Sequence, residues 1–241
     1  MSDSRSRLGL QPGRAVVTGA SRGIGRAVST RLVEDGWSVT ACGRDTERLD
    51  ELAASTGCDT AAFDTSDLSS VQAAAQAQLS SGETPDLLVL SAGVFGLCPL
   101  HETPAELLDQ QLDANLRGPF LVIRAFLPAM LARGAGLVVN IGSVSGRRAF
   151  PANGAYSASK FGLRGLHEVL VEEVRGTGVR ASLVEPGAVD TSIWDPINPD
   201  ERDDLPSRSQ MLRPGDVAGA VSFLAGLPGH VSVPLLQIER A

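Results

Sequence analysis

The feature that most restricts how this chain can fold is a short apolar run that ends in a glycine-rich turn. Ala15-Val16-Val17 leads without a break into Thr18-Gly19-Ala20-Ser21-Arg22-Gly23-Ile24-Gly25-Arg26. A continuously apolar run of this length suits a strand buried on both faces of a parallel sheet. The spacing Gly-x3-Gly-x-Gly differs from the Gly-x-Gly-x-x-Gly dinucleotide fingerprint, yet the physical demand is the same. Glycine permits a tight turn, lets a pyrophosphate approach the backbone, and opens a helix whose N-terminal N–H groups attract an anion. A glycine-rich turn alone says little. Between a first strand and an amphipathic helix it says a great deal.

The alternation continues along the chain. Strands are predicted over 14–18, 38–42, 60–63, 87–90, 136–141, 180–184 and 235–238, and helices over 24–35, 46–55, 68–79, 104–131, 155–175 and 214–225. Leu87-Leu88-Val89-Leu90 is as apolar as the first run. This order predicts an α/β fold, a single Rossmann-type doubly wound sheet of about seven mainly parallel strands with helices on both faces. The 241 residues suit one domain over 14–241, with 1–13 as a flexible polar tail. Segment 188–213, rich in Asp, Pro and Ser, is too long for a routine connection. It is read as a substrate-binding lid, with disorder the alternative.

The chain has one tyrosine, and of its 21 Lys and Arg residues only one is lysine. The two are Tyr156 and Lys160, four apart in Ala155-Tyr156-Ser157-Ala158-Ser159-Lys160. Arginine serves wherever a generic cation will do, so the lone lysine points to a place that needs a compact ammonium with a movable proton. Residues at i and i+4 share a helix face, so phenol and ammonium can point into one cleft. By itself the pair also fits a surface Tyr beside a solvated Lys.

A net charge of −7 and the absence of a basic stripe speak against nucleic acid or an anionic membrane surface as partner. No run of eighteen apolar residues suggests a membrane span. Cys42, Cys58 and Cys98 are odd in number and lack metal-ligand spacing, which predicts free thiols and a reducing, cytoplasmic setting. His101, His167 and His230 form no ligand set, and no metal is assigned.

The glycine turn and the Tyr-x3-Lys pair together resemble the short-chain dehydrogenase/reductase family, compact subgroup, from about Gly13 to the end. The resemblance implies Asn115, Ser143, Tyr156 and Lys160 as catalytic residues, Ser143 lying thirteen before Tyr156. It implies a nicotinamide cofactor held by Gly19, Ser21, Arg22, Gly23, Ile24 and Gly25, and by Arg44, Asp64 and Thr65. Further contacts fall to Ser91, Ala92 and Gly93, to Asn115, Tyr156 and Lys160, and to Pro186, Gly187, Val189 and Thr191. It also implies that Lys160 holds the nicotinamide ribose and that Asn115 holds a water linking Lys160 to solvent. The substrate pocket would draw on Phe95, Gly96, Ser143, Arg148, Phe150, Trp194 and the lid segment. One departure is Leu90-Ser91-Ala92-Gly93, where the family usually has Asn-Asn-Ala-Gly.

Chemistry gives these residues their expected roles. Reducing a carbonyl needs a proton at oxygen, and Tyr156 is the natural general acid although a free phenol has a pKa near 10. A nearby ammonium and a positive nicotinamide would favour the phenolate and lower that value. Ser143 can hydrogen-bond the substrate oxygen as charge develops there, with Ser145 as a lower-ranked rival assigned to the turn. At the end of the second strand Gly43 stands where an acid would select NAD. Arg44 and Arg22 are positioned for a 2′-phosphate, so NADP(H) is expected over NAD(H).

The expected function is an NADPH-dependent carbonyl reductase or alcohol dehydrogenase acting on a small to medium ketone, aldehyde or secondary alcohol. The chain ending lacks the Thr-Gly…Asp-Gly-Gly pattern of acyl-carrier-protein reductases, and so looks closer to relatives acting on 3-hydroxy acids, sugars or pterin-like ketones. The alternative is a catalytically silent NADP-binding regulator. A sugar-nucleotide epimerase would need a larger C-terminal domain. Apolar residues on several faces of 116–131 and 161–174, including Leu121, Phe126, Phe161, Leu166 and Val169, predict a homo-oligomer, a tetramer or otherwise a dimer.

Overall fold

The computed structural model describes residues 12–80, 82 and 84–241, so the expected tail lies outside the described residues except for Pro12 and Gly13. Seven strands form one sheet: β1 (Arg14–Thr18), β2 (Ser38–Gly43), β3 (Asp59–Ala62), β4 (Leu87–Leu90), β5 (Gly136–Ile141), β6 (Val179–Pro186) and β7 (Leu235–Ile238). Their order is 3-2-1-4-5-6-7, and every neighbouring pair is parallel.

The apolar runs explain the layering. Successive strand side chains point to opposite faces, so a run apolar at every position feeds two cores. Ala15, Val17, Leu87, Val89, Leu137 and Val139 enter one core with α1 (Gly23–Glu34), α2 (Thr46–Thr56) and α7 (Pro214–Ala225). Val16, Leu88, Leu90 and Val138 enter the other with α3 (Leu68–Ser80), α5 (Gly118–Arg133) and α6 (Gly154–Glu173).

The predicted helix over 104–131 is not continuous. It consists of α4 (Ala105–Leu112), a π-helical turn Asp113–Arg117, and α5, with Pro119 in the first turn of α5. Chain order reverses between β1 and β4, and in open parallel sheets that switch point opens a crevice beyond the strands' carboxyl ends. Segment 188–213 packs back on itself above that crevice. Asp190 N–H donates to Leu212 O (2.8 Å), Leu212 N–H donates to Ala188 O (2.9 Å), and Arg208 donates to Asp190, Asp195 and the Thr191 carbonyl.

Candidate active site

The glycine turn is built by close approach. Gly19 sits at φ +68°, and a Cβ there would lie 2.7 Å from the Ala92 backbone, while a Cβ on Gly25 would run into the Gly19 carbonyl oxygen. Gly23, at φ +55°, faces Thr191. Thr18 Oγ1 accepts from the N–H groups of Ser91 (3.1 Å) and Ala92 (3.3 Å), stitching the end of β1 to the segment after β4. Arg22 precedes α1 in extended backbone, and no side chain caps the helix. The first-turn N–H groups therefore face the crevice unclaimed by a cap, as an anion site requires.

The crevice is a cleft of about 540 Å³. Gly19, Ser21, Arg22, Gly23, Ile24, Gly25, Arg44, Asp64, Thr65, Ser91, Ala92, Gly93 and Thr191, all named from sequence, line it. Sequence reasoning missed Arg48, Ser66, Gln110, Asp113 and Ile193 on the same walls. Arg48 had a signal: it lies four residues after Arg44. Arg44 leans on Asp64 at 3.5 Å, and Arg48 on Asp45 at 3.3 Å. Burial pushes the Asp64 carboxyl upward, but hydrogen bonds from Ser66 and the Arg44 charge outweigh it and hold the group below its usual value.

The four predicted catalytic side chains are not among the residues lining this cleft; they lie behind the wall formed by Val94 and Ala114, to which Asn115 ties them. Lys160 is buried and donates from Nζ to Ile141 O at 3.0 Å. Its ammonium lies 5.7 Å from the Tyr156 ring centroid. Ser143 hydrogen-bonds Tyr156, and its Oγ accepts from the Ser145 N–H at 3.1 Å. Ser145 is in turn held by Asn153, whose Nδ2 donates to its Oγ at 2.9 Å. Asn115, fully buried on the π turn, clasps Val94 by both backbone groups, accepting from its N–H (2.8 Å) and donating to its carbonyl (2.9 Å). The same Nδ2 donates to Ser159 Oγ (3.0 Å), and Ser159 Oγ donates to the Tyr156 carbonyl (2.7 Å). A Cβ on Gly93 would stand 2.8 Å from Asn115 Oδ1, so glycine is required there.

The remaining predicted residues divide. Phe95 touches Tyr156 edge-on with centroids 4.7 Å apart, and touches Trp194 at 4.8 Å. Arg148 and Phe150 are exposed and meet each other, the guanidinium 5.6 Å from the ring centroid, with Glu239 4.0 Å from Arg148. Pro186 and Gly187 are tied to β7, where the Gly187 N–H donates to Ile238 O at 2.9 Å, and Val189 is buried.

Burial shapes the proton chemistry. It pushes the Tyr156 phenol up to about 12, against the opposing Ser143 bond, and pushes the Lys160 ammonium down to about 8. Without a cofactor's positive charge, then, the phenol keeps its proton and stands ready to donate it. The depressed Lys160 value means that the folded chain holds this ammonium at a cost on the order of 3 kcal/mol. Below pH 8 the cost is full, because both states are protonated; it fades as pH rises towards 10.5, because the folded chain releases the proton first. Lys160→Met is therefore expected to raise Tm at pH 7 by several degrees, at roughly 2–4 °C per kcal/mol, less what the lost Ile141 bond contributes. The gain should vanish near pH 10.5. Thermal melts of both proteins across that range check it.

A parallel α/β sheet with a glycine-built anion cradle at its switch point, and a hydroxyl–ammonium pair at one end, defines a dinucleotide-dependent oxidoreductase. The chain belongs to the short chain dehydrogenase family, whose pattern matches residues 14–202. It is 38% identical to a 2-(R)-hydroxypropyl-CoM dehydrogenase of Xanthobacter autotrophicus, covering 88% of this chain and 90% of that one. It is 37% identical to a D-threitol dehydrogenase of Mycolicibacterium smegmatis, covering 88% and 85%. Among solved structures, a closed form of serine dehydrogenase complexed with NADP+ superimposes with a TM-score of 0.86 at 30% identity, covering 93% and 94%.

Proposed function

We propose that the protein is an NADPH-dependent carbonyl reductase, reversible as a secondary-alcohol dehydrogenase, with Tyr156 as general acid and base. The observation that carries this reading is the convergence of Tyr156, Ser143 and Lys160 near a cleft walled by a glycine turn that opens an uncapped helix. A nicotinamide cofactor bound in that cleft supplies or accepts the hydride. Tyr156 gives its hydroxyl proton to the substrate oxygen as the carbon is reduced, so carbonyl, hydride and proton become an alcohol. Ser143 donates a hydrogen bond to the same oxygen, while its Oγ accepts from the Ser145 N–H. Lys160 keeps positive charge beside the phenol and favours phenolate once the proton has left. Asn115 fixes the Gly93–Phe95 wall.

Three arginines, Arg22, Arg44 and Arg48, line the adenosine end, and this supports NADP(H) over NAD(H). A Cβ at Gly43 would meet Ser21 at an ordinary 3.5 Å, so a side chain has room there and an NAD-selecting acid is simply not used. The NADP+ complex of the serine dehydrogenase relative agrees with this choice. We infer that 188–213 acts as the substrate lid, and that the three free cysteines fit a reducing, cytoplasmic setting. No helix among the described residues is long and apolar enough to cross a membrane.

Loss of NADPH absorbance with a panel of ketones, aldehydes and diones tests the reading. Tight NADPH binding with no turnover anywhere would favour the silent regulator. Ser143→Ala should cut turnover about 10²–10³-fold, as loss of an oxyanion donor does, and Ser145→Ala only mildly. The reverse ranking would move the oxyanion role to Ser145.

The surface supports a homo-oligomer. Phe120 (46%) and Leu131 (38%) of α5 and Phe161 (47%) and Val169 (54%) of α6 are exposed, which is costly on a monomer. Light scattering at micromolar concentration should give a mass of two or four 25.1 kDa chains. A monomer mass would refute the assembly.

A further inference from the structure

Two rings brought from distant parts of the chain pack in series beside Tyr156. Phe95 stands between Tyr156 and Trp194, edge contacts on both sides, with centroids 4.7 and 4.8 Å apart. Neither ring hangs on a loose support. Phe95 follows Val94, whose N–H and carbonyl are both clasped by Asn115. Trp194 is buried, its indole N–H donates to Val189 O at 3.1 Å, and its neighbours Val189 and Thr191 belong to the segment that Arg208 ties together. Residues next to each ring, Val94 and Ile193, line the cofactor cleft, so the rings stand at its reactive end. The cations on the flanking segments have partners: Arg147 pairs with Glu185 and Glu239, Arg148 with Glu239 at 4.0 Å and the Phe150 ring, and Arg208 with Asp190 and Asp195. Apart from the buried Lys160 ammonium, an anionic group entering here would meet rings.

We propose that Phe95 and Trp194 form a rigid aromatic slot that limits the site to short, uncharged ketones and the matching secondary alcohols; this rests on the reading of Tyr156 as proton donor to a carbonyl. Packed rings on fixed backbone cannot yield to a bulky substituent without off-rotamer strain, and a mismatch of even one methylene is worth about 10–200-fold in discrimination. The rings act on the substrate by excluding size and desolvating its carbonyl.

The test compares kcat/KM for 2-butanone, 2-octanone, acetophenone and 4-oxopentanoate, with NADPH binding followed by its fluorescence as a check on folding. In the parent, 2-butanone should lead, and the carboxylate should trail it about as far as the bulky ketones do. Phe95→Ala and Trp194→Ala should each raise the acetophenone-to-butanone ratio about tenfold or more. Should either alanine variant fail to bind NADPH, Phe95→Leu and Trp194→Leu are expected to move the ratio in the same direction by a smaller factor. An unchanged ratio in variants that bind NADPH overturns the slot while leaving the carbonyl reading intact. An equal fall on every ketone also overturns it, because the rings would then serve only to hold Tyr156. A parent that binds NADPH and reduces none of the four but does reduce aldehydes or diones overturns the slot alone; one inert to those as well overturns the carbonyl reading and the slot with it.

Discussion

Tyr156→Phe is expected to lower ketone reduction about 10²–10⁴-fold while leaving NADPH affinity near the parent value. The substitution deletes one oxygen and keeps the ring, so the edge contact with Phe95 and the helix packing survive. What is lost is the proton that the substrate oxygen must receive. Ser143, the other hydroxyl beside it, is an ordinary alcohol and a weaker acid than a phenol. Steady-state turnover with the parent's best ketone, together with NADPH fluorescence titration, separates the two effects. Near-parent turnover would remove Tyr156 from the mechanism. The pH profile adds a second readout. Burial holds the phenol up to about 12, so reduction by the parent should not be lost through Tyr156 ionisation at neutral pH. Alcohol oxidation, which needs the phenolate, should rise with pH wherever chemistry limits the rate.

Much of this architecture was legible because its causes are local. Runs apolar at every position and bounded by turn residues, such as Leu87-Leu88-Val89-Leu90, fit strands covered on both faces, and each predicted strand fell within a residue or two of its place. The glycine turn was legible because its backbone demands exclude other residues. The π turn was not. The stretch from Ala105 to Arg117 contains neither glycine nor proline, so nothing local breaks it. The break sets Asn115 against Val94 and Ser159, partners far away in sequence. Only Gly118-Pro119 hinted that a new helix begins there. Which face of α5 is exposed was not legible, for a different reason. The helix is apolar nearly all round, so periodicity cannot choose its phase. Leu121 and Phe126, named among the apolar residues on several faces, lie in the core, and Phe120 and Leu131 are the exposed ones. The contact between Phe95 and Trp194 joins loops from opposite halves of the chain, and no spacing rule reaches that far.

Cofactor choice offers the second large effect. Arg44→Asp, with Arg22 intact, is expected to turn the preference from NADPH towards NADH. The argument begins with position. Arg44 stands at the end of β2 on the cleft wall, beside Gly43 and Ser21, with Arg48 one helical turn further on. A 2′-phosphate arriving there meets charge-assisted donors, and loss of one such contact costs roughly 1.5–3 kcal/mol, about 10–100-fold in affinity. The introduced carboxylate adds repulsion against the phosphate and offers an acceptor to the 2′-hydroxyl of NADH. The exposed Arg44–Asp64 pair disappears as well, but a surface ion pair contributes at most about 1 kcal/mol, so the fold should persist. The new carboxylate and that of Asp64 would then share the adenosine end and deepen the bias against phosphate. Arg22→Ala should weaken NADPH less, because it removes a contact without adding repulsion, and Arg48→Ala should behave like Arg22→Ala. Ratios of kcat/KM for the two cofactors across the three variants decide the matter. If all three ratios match the parent, the arginines are solvated bystanders and the cleft does not read the 2′ position through them.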